Sequence, residues 1–342
     1  MNKKIKTYFK NKSILVTGGT GSFGKLFTKI MLDKFLVKKI IIFSRDELKQ
    51  SIMANEFKDY KKKIRFFIGD VRDLERLKLA MKNVDIVVHA AALKQVPAAE
   101  YNPFEVVKTN IIGTQNVISA IIDSSVQKAI ALSTDKAAAP INLYGATKLA
   151  ADKIFISSNN YSNKKFSVVR YGNVFGSRGS VIPLFKKQLE KGFLEVTDER
   201  MTRFSITLEE AVQFVIKNIW RMWGGELFVP KISSYKIIDV VKAYSKNAKV
   251  KVTGIRPGEK IHEEMITNSD SYNTVEFSDY FVILPTTQEF LKWKLKNFIK
   301  KSNHLPGRMC KAGFSYNSLD NKNFLSVEEL KDLIKNFNKE KF

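Results

Sequence analysis

Apolar positions in the first half of the chain follow two alternating rhythms. Short β-branched runs read as strands: Ser13–Thr17 (SILVT), Lys39–Phe43 (KIIIF), Ile64–Ile68, Asp85–His89 (DIVVH), Lys128–Leu132 and Phe166–Arg170 (FSVVR). Between them lie longer stretches with apolar residues at helical spacing: Phe23–Lys34, Asp46–Lys58 with an acidic cap, a long one over Phe104–Ser124, and Tyr144–Ser157. Apolar strands alternating with amphipathic helices mark βαβ units, because a parallel sheet is covered on both faces. The pattern predicts an α/β fold built on a doubly wound parallel sheet. After Tyr171 the rhythm breaks. Gly172–Ser180 reads as a glycine- and polar-rich loop, Leu208–Trp223 as a helix, and Glu226–Val229 as a last strand of the same sheet. The remainder mixes short elements with loops such as Gly254–Glu259.

Composition narrows the class. The chain has 342 residues and is 44% hydrophobic, enough for a substantial core. Its one cysteine, Cys310, excludes an intramolecular disulfide, and without a signal-peptide pattern the expected compartment is the reducing cytoplasm. No stretch approaches the ~18–20 apolar residues that a membrane helix needs, so no membrane partner is expected. The formal net charge of +24 raises nucleic acid as a partner. The lysines run along the whole chain, however, and aromatics do not interleave with a basic block. That distribution reads as a solvated surface with no nucleic-acid partner, and it still favours a phosphate-bearing ligand. The basic opening, Met1–Lys12, reads as a short surface arm.

The first strand runs directly into Thr17-Gly18-Gly19-Thr20-Gly21-Ser22-Phe23-Gly24. Gly18 permits a tight turn, Gly21 lets the backbone approach a pyrophosphate, and Gly24 lets the following helix pack on the strand. The helix N-terminus then offers free N–H groups to phosphates, with Thr20, Ser22 and Phe23 beside them. Strand, glycines and helix in this order predict a Rossmann site for a nicotinamide dinucleotide. An NAD site places an acid at the end of the second strand. Here the chain reads Ser44-Arg45-Asp46-Glu47-Leu48-Lys49, and Arg45 and Lys49 suit a 2′-phosphate, so NADP is expected. Asp70 and Val71 would meet the adenine, and Ala90 would let the cofactor lie against backbone.

Tyr144 and Lys148 form YxxxK on a predicted helix, which puts both on one face. The lysine charge is expected to pull the tyrosine pKa down from about 10 towards neutrality, making it a base towards a hydroxyl. Ser133-Thr134-Asp135-Lys136 closes the fifth strand and points at the same cleft. No metal site is expected.

These motifs together resemble the extended short-chain dehydrogenase/reductases. With Ala92-Leu93-Lys94-Gln95-Val96-Pro97, Arg170-Tyr171-Gly172-Asn173, Asp198–Phe204 and Gly254–Lys260, the chain resembles the inverting UDP-N-acetylglucosamine 4,6-dehydratases of the pseudaminic acid pathway. The similarity runs from Ser13 to about Pro285. Retaining relatives carry an Asp-Glu pair where this chain has Asp135-Lys136. Departures are Gln95 for a frequent histidine, Ala139 for asparagine and Ser205 for an aromatic.

The resemblance implies a mechanism. Tyr144 takes the proton of the sugar 4-hydroxyl as hydride leaves carbon 4, with Thr134 bonded to the same oxygen. Lys148 holds the nicotinamide ribose. Lys136 removes the carbon 5 proton and Asp135 donates to the departing 6-hydroxyl. Lys94, Leu132, Ser133 and Asn173 would touch the sugar, and Lys94 the cofactor also. Val181 and Thr197 would lie along the nucleotide, Arg256 at the diphosphate and Glu259 at ribose hydroxyls. It further implies a homo-oligomer, dimer or hexamer, with UDP-N-acetylglucosamine as partner. The expected division is a cofactor domain over residues 1–172, rejoined by 207–232, and a smaller discontinuous substrate region over 173–206 and 233–342. The alternatives are a retaining 4,6-dehydratase, a dehydratase/5-epimerase, or, more remotely, a non-catalytic dinucleotide or nucleic-acid binder.

Overall fold

The computed structural model describes residues 3–176, 181–189, 192–245, 249–285, 293–300 and 306–339. Six parallel strands form the centre: β1 (Ser13–Thr17), β2 (Lys39–Ser44), β3 (Ile64–Ile68), β4 (Ile86–His89), β5 (Lys128–Thr134) and β6 (Lys165–Tyr171). Their spatial order is β3-β2-β1-β4-β5-β6, the reversal beside β1 being the switch point at which a doubly wound sheet opens a crevice. Successive residues of β1 feed opposite faces. Ile14 and Val16 join the core under helices Ser22–Lys34 and Leu208–Arg221, while Leu15 joins the core under Gly113–Ile122 and Leu143–Ser157. All three side chains are fully buried.

The Rossmann, doubly wound reading of the sequence is what the molecule shows, with differences at its edges. Strand Leu227–Pro230 pairs in parallel with β6, but it is not last. Tyr280–Ile283, Thr274–Glu276 and Arg308–Met309 follow it antiparallel, giving ten strands. The N-terminal segment is no simple arm: Lys3–Phe9 is a helix with Ile5 and Phe9 buried, and Phe9 meets Phe35 edge-on at 5.3 Å. The long helix expected over Phe104–Ser124 carries a π-helical turn at Lys108–Ile112. Of the loop expected over Gly172–Ser180, residues 177–180 lie outside those described. A separate apolar cluster, including Phe185, Leu194, Met201, Tyr235 and Leu330, forms the body beyond the sheet's C-terminal edge. Among the described residues no helix is long and apolar enough to cross a membrane, and no group of three or more His, Cys, Asp or Glu could hold a metal ion.

Two local features yield tests. His89 ends β4 with 2% exposure between two hydroxyls, Nδ1 lying 2.8 Å from Thr17 Oγ1 and Nε2 lying 3.1 Å from Thr114 Oγ1. Thr114 donates its own proton to the Asn110 carbonyl, so Nε2 carries the ring hydrogen and Thr17 donates to Nδ1. Burial, assisted by Lys148, lowers the His89 pKa from 6.5 to about 3. A depressed folded pKa means stability that is complete above pH 6.5 and is lost as pH falls towards 3. The loss should be on the order of 4 kcal/mol, and His89→Gln should flatten that part of a pH-dependent unfolding curve. Ala139, exposed, adopts φ +42°, a left-handed conformation that asparagine tolerates better. Ala139→Asn should raise the thermal midpoint, recovering about 1 kcal/mol.

Candidate active site

A cleft of about 940 Å³ opens at the carboxyl ends of the strands, where the glycine turn, the β5 end and the second body meet. The glycine turn is shaped for close approach. Gly18 sits at φ +64°, and a Cβ there would lie 3.0 Å from the Ala90 carbonyl oxygen. A Cβ on Gly24 would come within 2.3 Å of the Gly19 carbonyl oxygen, whereas one on Gly21 would meet only the Gly18 oxygen, at 3.3 Å. Gly21 begins helix Ser22–Lys34, and no side chain caps its N–H groups. This cradle fits a dinucleotide pyrophosphate.

The catalytic face is assembled by another glycine. Asn142 caps helix Leu143–Ser157 by accepting from the Gly145 N–H at 2.8 Å. A Cβ on Gly145 would lie 2.2 Å from the Lys136 carbonyl oxygen, so only glycine lets this helix press on the 3₁₀ turn Asp135–Ala137 that follows β5. That contact brings Tyr144 and Lys136 into one site.

Lys136 is the electrostatic centre. Its Nζ lies 3.2 Å from Asp135 Oδ1, 3.3 Å from Glu263 Oε1 and 3.3 Å from Asn173 Oδ1. Burial disfavours the ammonium, but Asp135 and Glu263 outweigh burial and hold its pKa above the ordinary lysine value. Thr134 donates to Asp135 Oδ1 at 2.8 Å. Tyr144 is nearly buried, and burial raises its pKa to about 12 against the opposing charge of Lys136 and a hydrogen bond with Thr134. The cation that bears on the tyrosine here is thus Lys136. Lys148 donates to the Leu132 carbonyl at 2.8 Å, and its own pKa is lowered by burial while Asp152 opposes the fall. Asp152 accepts from Ser133 Oγ at 2.5 Å and faces buried Arg170 at 3.5 Å. Lys94 lines the same cleft, its pKa lowered by burial and by Lys136.

Most residues singled out in the sequence line this cleft: Gly18, Thr20, Gly21, Ser22, Phe23, Gly24, Ser44, Arg45, Asp46, Lys49, Asp70, Val71, Ala90, Lys94, Leu132, Ser133, Thr134, Lys136, Tyr144, Lys148, Asn173, Val181, Thr197, Arg256 and Glu259. Three do not. Glu47 and Leu48 open helix Glu47–Glu56, Leu48 being 68% exposed, and Asp135 lies beneath the cleft floor, fully buried. Glu259 turns to Arg203, at 3.3 Å. Sequence reading missed the roles of Arg203 and Glu263, which complete a chain Asp135–Lys136–Glu263–Arg203–Glu259. Both lay in or next to quoted segments, yet only the fold shows that they meet Lys136.

A Rossmann sheet, a glycine cradle and a buried Tyr-Lys pair at the cleft define an extended short-chain dehydrogenase/reductase. Residues 14–285 match the polysaccharide biosynthesis protein family, and the chain belongs to that family. It is 53% identical over 331 residues to an inverting UDP-N-acetylglucosamine 4,6-dehydratase of Campylobacter jejuni, covering 95% of this chain and 98% of that one. It is also 40% identical over 287 residues to a UDP-glucose 4-epimerase of Rickettsia canadensis, covering 80% and 83%. Among solved structures, Pen from Bacillus thuringiensis superposes with TM-score 0.86 at 39% identity over 97% of this chain and 99% of that one.

The expectation of NADP is corrected. DesIV, a dTDP-glucose 4,6-dehydratase from Streptomyces venezuelae, shares the fold at TM-score 0.65 and 21% identity over 73% of this chain and 86% of that one, and holds NAD. So does the Bacillus cereus UDP-glucuronic acid 4-epimerase. The two cations read as a 2′-phosphate site already face carboxylates here: Arg45 Nη1 lies 3.7 Å from Asp70 Oδ2, and Lys49 Nζ 2.7 Å from Asp46 Oδ2.

The two glycines predict different failures. Gly24→Ala should lower the stability, by roughly 3–5 kcal/mol if the backbone clash cannot relax, and with it the unfolding midpoint. Gly21→Ala should fold with little loss of stability and lose dinucleotide affinity, because its methyl group meets only the Gly18 carbonyl oxygen, at 3.3 Å, and otherwise enters the space a pyrophosphate would fill. Calorimetry with and without the dinucleotide separates the two, and equal thermal loss in both variants would refute this division of labour.

Proposed function

We propose that this protein is a UDP-N-acetylglucosamine 4,6-dehydratase that inverts carbon 5, giving UDP-2-acetamido-2,6-dideoxy-β-L-arabino-hexos-4-ulose, the first step towards pseudaminic acid. The observation that carries the reading is the convergence of Thr134, Lys136 and Tyr144 in the cleft, with Asp135 buried beneath it and paired with Lys136. An epimerase needs the tyrosine and lysine but no buried acid–amine pair beside them. The 53% identity to the Campylobacter jejuni enzyme supports the same choice over the 40% identity to an epimerase.

The Gly18–Gly24 turn, Ser44, Asp70, Val71, Ala90 and Lys148 would hold NAD, which would supply a hydride acceptor for the oxidation at carbon 4 and the matching donor for carbon 6. Tyr144 removes the proton of the sugar 4-hydroxyl, and Thr134 and Lys136 supply the hydrogen bond and charge that stabilise its anion. The resulting 4-ketone acidifies the carbon 5 proton, which Lys136 removes. The Lys136–Asp135 pair then protonates the departing 6-hydroxyl as water leaves. Arg256, with no side-chain partner among the described residues, suits the diphosphate through its forked guanidinium. Lys94 and Asn173 suit the sugar, and Val181 and Thr197 the nucleotide. We further propose the division into a cofactor domain over 1–172 with 207–232 and a substrate region over 173–206 and 233–342. A cytoplasmic homo-oligomer is in keeping with this reading, and exposed Tyr101 and Phe104 offer a face that a second copy could cover.

The protein, incubated with UDP-N-acetylglucosamine in deuterated water, should give a 4-keto-6-deoxy product carrying deuterium at carbon 5 with inverted configuration, read by NMR. A product of retained configuration would remove the inverting assignment, and one changed only at carbon 4 would restore the epimerase. Lys136→Ala should bind the dinucleotide and substrate yet form no 4-keto-6-deoxy product, a loss of at least ~100-fold.

A further inference from the structure

The proposed reaction requires Lys136 to be neutral before it can take a proton, and the structure holds it as an ammonium. All three of its N–H donors have acceptors: Asp135, Glu263 and Asn173. A lone pair appears only when one of these protons moves, and two carboxylates are close enough to receive it. Asp135 is the poorer acceptor. Its Oδ2 is buried without a partner, but the residue lies beneath the floor of the cleft, out of reach of a substrate, and its Oδ1 already accepts from Thr134 at 2.8 Å. Glu263 lines the cleft with 2% exposure. Its Oε1 faces Lys136 at 3.3 Å, and its Oε2 is buried without a hydrogen-bond partner. Arg203 Nε stands 3.8 Å from Oε1, further than the 3.3 Å that separates Arg203 from Glu259. A solvated surface pair would leave no such unpaired oxygen.

Building on the proposed dehydratase reaction, we infer that Glu263 is the positioning residue that takes the Lys136 proton once carbon 4 has been oxidised in the filled cleft, leaving the amine free to act at carbon 5. The Nζ–H bond breaks and an O–H bond forms on Glu263, so an ion pair becomes a neutral pair. Displacing water from the cleft drives the transfer, because low dielectric penalises the charged forms. Lys136 then takes the carbon 5 proton and is an ammonium again. It passes one proton to the departing 6-hydroxyl, receives the stored proton back from Glu263, and the resting pair is restored with one water released. The groups that set this balance come from several elements: Asp135 and Thr134 from the β5 end, Tyr144 from its helix, Asn173 after β6, Lys94 after β4, Arg203 and Tyr235 from the second body.

The test is Glu263→Gln in the full-length protein with NAD and UDP-N-acetylglucosamine, beside wild type and Glu263→Asp. Circular dichroism and dinucleotide binding establish that each variant is folded. Glu263→Gln should still form reduced cofactor on adding substrate, while deuterium entry at carbon 5 slows by about 100-fold. Its residual exchange should rise with pH, since Lys136 must now lose its proton to solvent, whereas wild-type exchange shows no such rise over the same range. Glu263→Asp, which keeps the carboxylate, should be intermediate, and it carries the test if Glu263→Gln does not fold. Wild-type-rate exchange in Glu263→Gln overturns the inference, as does an equal fall in cofactor reduction and exchange, or Glu263→Asp as slow as Glu263→Gln. Failure of the wild-type protein to convert the substrate counts instead against the proposed function.

Discussion

A single ammonium group, that of Lys136, ties the molecule together. It sits where β5 ends, and its partners come from the turn after β5, the segment after β6 and the stretch leading into strand Glu264–Ile266. A buried cation is tolerated only with compensating anions, and breaking such a set by removing one partner costs about 3–5 kcal/mol. The sheet and the segment before Glu264–Ile266 are therefore held in register by charges that also line the cleft. The dense ionic chain through Glu263, Arg203 and Glu259 extends that link across the cleft.

The sheet was readable in advance because its signals are local. β-branched runs at β1 to β6 and glycines at 18, 21 and 24 each act within a few residues, and period and turn chemistry suffice to place them. The antiparallel edge was not readable. Thr274–Glu276 and Tyr280–Ile283 are short; they form a hairpin with each other, but their place at the sheet edge is set by partners far along the chain, Leu227–Pro230 and Arg308–Met309. The N-terminal helix was hidden for the opposite reason: its lysines dominate the pattern, and only Ile5 and Phe9 reveal a buried face.

The site divides in the same way. Tyr144 and Lys148 were visible as a spacing on one helix, and Thr134, Asp135 and Lys136 as a run at a strand end. Which charge acts on which group was not visible. Spacing of four suggested that Lys148 tunes the tyrosine; in space Lys148 is spent on the Leu132 carbonyl, and Lys136 is the nearer influence. Arg45 and Lys49 were legible as cations open either to a 2′-phosphate or to a surface Arg–Asp pair, and only the fold brings Asp70 to Arg45 and Asp46 to Lys49. Glu263 carries no local mark at all, since it acts on a residue 127 positions earlier.

Asn142 couples two parts of the cleft. Its carboxamide oxygen caps the helix that begins beside Tyr144, and its Nδ2 donates to the Gly258 carbonyl at 2.8 Å. Gly258 belongs to the loop that carries Arg256 and Glu259, and a Cβ there would press on Asn142 at 3.0 Å. One planar amide thus joins the loop that carries Arg256 to the first turn of the helix that carries Tyr144. If Arg256 meets a diphosphate as proposed, a shift of the loop would load this cap, and the cap stands next to Tyr144. In the proposed reaction the far end of a nucleotide sugar would in this way be connected to the carbon being oxidised, so that the handle of the substrate would help to aim the chemistry at its head.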